Sequence, residues 1–426
     1  MEKSLSNQEK KLDAYIVAGE LIRKAGKEGN LGIAKLQARI LHRDPLKAAK
    51  AFKLVQAHVK SKAVANMLDE QYRASLPVQL KQVDPRYAFC LAIQDGTEEA
   101  IEVDYRSLFE ESANVAIFGA PGTGKSTLAL NLILQAHAKS FDTTLGDRKG
   151  NQGKRIRHIN PITVSPDREL INWLDPMVEV EAARYASGFA GIASAYLRLH
   201  DLTTHHLHAL ILRLYASRRP GSPFPSLKDL EKAAFELGPR ERNQSLLTVA
   251  RSTAALTAQL GYTAHIQKAP PQNRNAGRFT IYDFSGYDPN SYAFLSALRF
   301  LRRQIEAKHT PSGRLRPLMH VEDEAAHLAN SDVFERMSAE LRGAKVVLVC
   351  LFQTISLIKS AILSNFAVNV AFQVNDPDEA RQLQKRLLLP EQDGVQRILS
   401  LPPRMCYIRF PGVNRPILAR VPDISF

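Results

Sequence analysis

Cysteine is scarce in this chain: three in 426 residues, Cys90, Cys350 and Cys406, an odd number and widely scattered. That excludes a disulfide framework or a cysteine-built zinc knuckle and suits a reducing compartment. No run of 18 apolar residues occurs, so no membrane span is expected. The opening MEKSLSNQEKKLDAY is too charged for a secretory signal, and the expectation is a cytoplasmic protein. Internal repeats and low-complexity tracts are also missing. Negative charge is in deficit, with 43 Asp and Glu against 57 Lys and Arg, a net of +14. Such a balance favours a polyanionic partner, nucleic acid being the commonest. Residues 1–75 hold 15 of the basic residues and only 8 acids, which is half of the excess; a solvated helical face would give the same count. With no helix-turn-helix or zinc-finger signature, a DNA contact would be to the backbone and not sequence-specific.

What is present is ordinary globular composition, 45% hydrophobic and 23% charged, in a chain long enough for two or more domains. Apolar residues at three- and four-residue spacing in LGIAKLQARILH and AAKAFKLVQAHVK predict a basic α-helical N-terminal domain over 1–77. A first part of an α/β core is expected over 78–177, where RYAFCLAIQDGTEEAIEVDY reads as two strands turning at Asp95 and Gly96. An all-α insertion follows over 178–268, broken by SRRPGSPFPS, whose prolines and glycine cannot sit inside helices. The linker KAPPQNRNAG then leads into a second part of the core, 269–426. There RFTIYDFSG, RPLMHVEDE, AKVVLVCLFQ and NVAFQV read as strands. Strands alternating with helices imply a mostly parallel sheet covered on both faces.

The chemistry is carried by NVAIFGAPGTGKSTLALNLIL. Gly119, Gly124, Lys125 and Ser126 fit G-x-x-x-x-G-K-[ST], with an apolar strand before and a helix after, as a phosphate-binding loop requires. Backbone N–H groups of the loop, Gly119, Gly122, Thr123, Gly124, Lys125, Ser126 and Thr127, would cradle phosphates at a helix N-terminus. Lys125 would reach the β- and γ-phosphates of ATP, and Ser126 would place its hydroxyl on Mg²⁺. Such a site needs a carboxylate for the metal and a group that positions water. LMHVEDEAAHL supplies both, Asp323 for Mg²⁺ and Glu324 for the water, while Glu322 is left without a role.

Spacing then sorts among ATPase types. Asp323 lies 198 residues after Lys125, with helices between, and in this the chain resembles the FtsK–HerA superfamily, which also contains the VirD4/TraD-type conjugative coupling proteins. LAIQDGTEEAIEVDYRSLFEESANVAIFGAPGTGKS resembles that superfamily's strand pair leading into the loop. LGDRKGN, with Asp147 and Lys149, resembles the coupling proteins' D-x-K-G strand end. NWLDP resembles their N-P-L-D element, and IYDFSGYDPNSYAF their D-[LF]-S-G strand. RGAKVVLVCLFQ, with Arg342 eleven residues before Gln353, resembles the R-x-x-G strand that ends in T-Q. NFAVNVAFQV resembles N-[IF]-x-x-R-[IV]-A-F, except that the arginine position is Asn369.

The resemblance covers about residues 80–426 with an unassigned middle, and implies a RecA-like ASCE core. It also implies ATP hydrolysis with Lys125, Ser126, Asp323 and Glu324 in the chemistry, Gln353 as γ-phosphate sensor, and a hexameric ring moving DNA through its pore. Arg342 is the candidate arginine finger acting in trans, a helix-end arginine paired with a surface acid being the alternative. Two other functions share these residues: a VirB4-like ATPase driving protein transport, with a protein partner on the N-terminal helices, and an ATP-dependent assembly switch.

Two further clusters are weighed. His200, His205, His206 and His208 do not put three imidazoles and a carboxylate on one helical face, so they are read as a polar helix start and not as a metal site. Arg148, Lys149, Lys154, Arg155, Arg157 and His158 crowd a loop that either contacts phosphates or is a solvated charge run.

Overall fold

The computed structural model describes residues 83–97, 99–104, 114–156, 159–268, 279–311, 314–329, 334–335, 338–339, 341–413 and 415–424, less the side chains of Arg342 and Gly343. All but residues 96 and 97 belong to one compact unit. The helices expected over 1–77, most of the linker, and Arg157 and His158 of the basic loop lie outside the described residues.

The frame is an eleven-stranded sheet. Its strands are β1 (Ala88–Gln94), β2 (Ala100–Asp104), β3 (Asn114–Phe118), β4 (Asp142–Asp147), β5 (Ile162–Val164), β6 (Phe279–Asp283), β7 (Leu318–Glu322), β8 (Val346–Phe352), β9 (Phe366–Ala371), β10 (Met405–Arg409) and β11 (Ile417–Arg420). They lie in the order β2-β1-β11-β10-β9-β3-β8-β7-β4-β6-β5. From β9 to β5 every pairing is parallel. From β9 outward to β2 every pairing is antiparallel. Continuous apolar sequence explains the middle: every residue of NVAIF (β3) and of VVLVCLF (β8) is buried, as befits strands covered on both faces.

Three strands escaped the sequence reading. The run ITV of β5 is three residues long, and MCYIR and ILAR, in β10 and β11, are short apolar runs that periodicity cannot tell from helix. The expectation of a mostly parallel sheet holds for one side; β10 and β11 join the β1–β2 hairpin to the core as an antiparallel flank.

Helix α1 (Lys125–Ala138) packs on β1, β4, β7 and β8, burying Leu128, Leu132, Ile133 and Ala136. A single turn, α2 (Gln152–Arg155), follows β4. Four helices then occupy the stretch expected to be helical: α3 (Ala182–Leu197), α4 (Asp201–Ala216), α5 (Leu227–Arg240) and α6 (Gln244–Leu260). The loop between α4 and α5 falls where the prolines and glycine stand. Ser226 closes it with a reciprocal capping box to Asp229.

These helices are fastened to α7 (Pro289–His309), which packs against α3. The fastening comes from NWLDP. Asn172 Nδ2 donates to the carbonyls of Phe224 (3.0 Å) and Gln267 (2.9 Å), while Arg302 of α7 donates to the carbonyls of Asn172 (3.1 Å) and Asp175 (2.7 Å). Trp173 beside them is 1% exposed, and its carbonyl accepts from Tyr185 Oη at 2.7 Å. Among the described residues three further α-helices follow: α8 (Ser360–Ser364), α9 (Pro377–Leu387) and α10 (Gly394–Leu399). Among the described residues no helix is long and apolar enough to cross a membrane.

Candidate nucleotide site

Parallel pairing sends the C-terminal ends of β3, β4, β7 and β8 to one edge, where Phe118 stands opposite Phe352 and Gly146 opposite Glu322. In open α/β sheets this is the edge where ligands bind.

The glycine-rich loop leaves that edge from β3. Gly119 has φ +153, and a Cβ there would lie 2.8 Å from Phe372 Cβ; Gly124, at φ +120, would meet Phe372 Cε1 at 3.0 Å. The loop is tied from both sides. Ala120 N–H donates to Gln373 O at 2.8 Å, Gly119 N–H to Phe352 O at 3.3 Å, and Arg404 N–H to Thr123 O at 2.8 Å. Thr123 Oγ1 donates to Ala120 O at 2.8 Å. No side chain caps α1 and no acid stands in its first turn, so its leading N–H groups and dipole are left for an anion. Lys125 Nζ lies within this turn, donating to the carbonyls of Gly119 (2.5 Å) and Ala120 (2.8 Å). Burial first, and then the Lys149 charge, bring the Lys125 ammonium down to about 8.

The acids arrive from β7. Asp323 follows the strand directly, and Ser126 Oγ donates to its Oδ1 at 3.4 Å across 197 residues of sequence. Two oxygen donors so placed beside a phosphate loop are the hard ligands Mg²⁺ takes. Gln152 Nε2 donates to Asp323 Oδ2 at 3.4 Å. Burial raises the Asp323 carboxyl, with Lys149 opposing and Asp147 adding. Glu324 lies between two cations, Arg148 Nε at 3.5 Å and Lys149 Nζ at 3.5 Å; Lys149 Nζ is also 3.8 Å from Asp323. These cations come from the strand end GDRKG, which Asp147 folds back on itself. Its Oδ1 accepts from the N–H groups of Lys149 (3.1 Å) and Gly150 (2.9 Å), and its Oδ2 from that of Gln152 (2.9 Å).

Glu322, one residue earlier, points the other way. It is 0% exposed, its Oε2 accepts from Tyr292 Oη of α7, and its Oε1 lies 2.7 Å from His320 Nε2. His320 Nδ1 in turn is 2.5 Å from Thr144 Oγ1 on β4. A Cβ at Gly146 would run into the Glu322 carboxylate. Burial, and then the Glu322 charge, raise the Tyr292 phenol well above its ordinary range. The ring of Tyr292 also lies under the Arg148 guanidinium, 5.6 Å from its centroid. Nothing in the sequence pattern pointed to Gln152, His320 or Tyr292, because each has a partner far away in the chain: Asp323, Thr144 and Glu322.

The remaining expected residues are dispersed around this edge. Thr127 Oγ1 accepts from Arg155 Nη2 at 3.1 Å, and Gly122 is exposed with φ +79. Gln353 follows β8, level with Gly119, and is exposed. The backbone of Arg342 lies in the 3-10 turn Leu341–Ala344 before β8, and its side chain is outside the described set. Asn369 is buried on β9 and bonded to Arg386, whose Nε donates to its Oδ1 at 2.5 Å. In the histidine cluster, His206 meets Asn243 Nδ2 at 3.2 Å, at the head of α6.

Solved structures share this architecture. VirB4 of Thermoanaerobacter pseudethanolicus superposes with a TM-score of 0.64 at 15% identity, over 80% of this chain and 98% of that one. The plasmid coupling protein TrwB in complex with ADP and Mg²⁺ gives 0.59 at 16% identity, over 81% and 97% of the two chains. The same protein with the non-hydrolysable ATP analogue ADPNP gives 0.59 at 17%, over 81% and 91%. No family model matches the sequence, and neither does any curated protein. The chain thus has the RecA-like α/β fold of these proteins.

Proposed function

We propose that a chain with this fold binds ATP with Mg²⁺, hydrolyses it, and uses the energy to move DNA through a homo-oligomeric ring, a hexamer in the cytoplasm. One observation carries the ATPase part: Ser126 and Asp323, from the two separated motifs, meet at 3.4 Å beside Lys125 and Glu324. TrwB solved with ADP and Mg²⁺, and with ADPNP, on the same fold supports that reading.

In this mechanism the N–H groups of residues 122–127 and the Lys125 ammonium hold the phosphates, those of Gly119 and Ala120 being taken up by Phe352 and Gln373. Ser126 and Asp323 hold the divalent cation, which when bound neutralises charge on the departing γ-phosphoryl. Glu324 accepts the proton of the attacking water or orients it, with Arg148 and Lys149 each 3.5 Å from its carboxylate. Gln353 carries the state of the γ-phosphate along β8. Arg342 is the proposed finger for a neighbouring subunit's site. Residues 1–77, 78–177, 178–268 and 269–426 are the proposed N-terminal domain, first core part, helical insertion and second core part. DNA is the proposed substrate on the strength of the +14 charge and of the coupling-protein likeness.

Turnover measured with and without single- and double-stranded DNA across a salt series tests this reading, with Lys125→Ala and Glu324→Gln as controls. Strong stimulation lost in both variants and at high salt is the expected result. Turnover indifferent to DNA would sink the DNA motor. It would leave protein transport, which the VirB4 likeness favours over an assembly switch.

A further inference from the structure

We infer that a groove along β9, α9 and the segment after β10 is a second anion site, separate from the nucleotide loop, that takes phosphodiester groups of a nucleic-acid backbone. The groove has a volume of about 740 Å³, and Asn369, Lys385, Arg386, Arg409 and Phe410 are among its lining residues. Its β9 residues, Phe366 to Asn369, stand opposite Asn114 to Ala116 of β3, toward the end of the strand away from the loop.

Charge in this groove has one sign. No Asp or Glu lines it among the described residues, and neither Arg386 nor Arg409 forms an ion pair with a described residue. Arg386 is clamped by neutral acceptors instead. Its Nε donates to Asn369 Oδ1 at 2.5 Å, and its Nη2 to the carbonyls of Leu363 and Phe366, the second at 3.3 Å. Arg409 Nη1 donates to Arg386 O at 2.7 Å. Neutral acceptors fix the direction of a guanidinium without cancelling its charge.

Two arginines held side by side in this way repel. Burial and the Arg409 charge bring the Arg386 guanidinium down to about 10. The nitrogens left over, Nη1 of Arg386 and Nε and Nη2 of Arg409, have no acceptor among the described residues. None of them is a fully buried orphan, and both arginines line the groove. A planar, pre-aimed donor fork of that kind matches the oxygens of a phosphate. Lys385 adds a third, exposed cation one residue along α9, and Phe410 with Pro411 gives an apolar wall beside the charges. Cations interleaved with an aromatic face suit a chain of phosphates and bases better than an acidic peptide.

The test is fluorescence anisotropy of a labelled 20-nucleotide single strand against the full chain without ATP, over 50–300 mM salt, with poly-glutamate as a parallel probe. Because no nucleotide is present, loss of turnover cannot mimic the result, and a failed ATPase reading would leave it untouched. Arg386→Gln also unties α8 from α9, so Arg409→Gln and Lys385→Gln are the deciding variants. Each is expected to weaken oligonucleotide binding several-fold and to lower the slope of log K against log salt by about 1, with an unchanged melting curve. Wild-type affinity and slope in both variants would overturn the proposal. So would loss of poly-glutamate binding with oligonucleotide binding intact.

Discussion

At the loop edge of the sheet Arg148 and Lys149 face carboxylates, while in the groove along β9 Arg386 and Arg409 are held by neutral acceptors among the described residues. Lys149 lies within 4 Å of both Asp323 and Glu324, Arg148 is 3.5 Å from Glu324, and Lys125 feels Asp323. Arg386, by contrast, is held by an amide oxygen and two carbonyls. The difference separates two kinds of anion chemistry. A site that handles a metal–phosphate pair needs both signs at close range, because charge moves during the reaction. A site that only grips a phosphate keeps its full positive charge.

The sharpest way to break the mixed-charge edge is Glu324→Gln. Turnover should fall by about 10²- to 10⁴-fold with nucleotide binding retained, measured by phosphate release and by titration of a fluorescent nucleotide. Binding lost together with turnover would mean that Glu324 holds the nucleotide and does not act on water.

The acid next door should behave in the opposite manner. Glu322 is buried against His320 and Tyr292, so Glu322→Ala should cost about 3–5 kcal/mol of folding stability through the partners it strands. Tyr292→Phe removes one hydrogen bond and leaves a buried acceptor, for about 1–3 kcal/mol. Denaturant titration reads both, and an unchanged midpoint in Glu322→Ala would show that the carboxylate is not the keystone of that network.

Acidity gives a milder perturbation. Lys125 is charged below about 8 and loses its proton as pH rises through that value. Its contribution to phosphate binding is therefore complete at pH 7. Affinity should fall by up to about tenfold per unit above pH 8, until the bound phosphates restore the proton. Equilibrium binding from pH 7 to pH 9.5 checks this, with Lys125→Met expected to be flat over the same range.

Smallest is the reverse experiment in the groove, giving Arg386 the carboxylate it lacks. Asn369→Asp should reduce oligonucleotide affinity several-fold and flatten the salt dependence by about one unit of slope, without altering turnover in the absence of DNA. Affinity equal to wild type would remove the distinction between the two regions.

Much of the architecture was legible in advance, and the reasons are local. The hairpin before the loop, the strands β3, β4, β6, β7, β8 and β9, and the helical run broken at SRRPGSPFPS all follow from apolar periodicity and from proline and glycine. The antiparallel flank was not legible, since MCYIR and ILAR become strands only because β9 and β1 offer edges to pair with. Among the site residues, the loop and the acid pair stood out because each is a contiguous pattern. Gln152, His320 and Tyr292 did not, because each has a partner far away in the chain: Asp323, Thr144 and Glu322.

By itself, then, the sequence determined a strand, a glycine loop and a helix able to cradle phosphate, and an acidic strand end able to serve it. Covalent geometry and near-neighbour sterics settle such things within about ten residues. Only the tertiary structure decided that Ser126 meets Asp323, that Glu322 is turned beneath the site while Glu324 is turned into it, and that Arg386 reaches Asn369 from α9. Those outcomes depend on strand order and register, where successive residues take opposite faces and groups nearly 200 residues apart become neighbours.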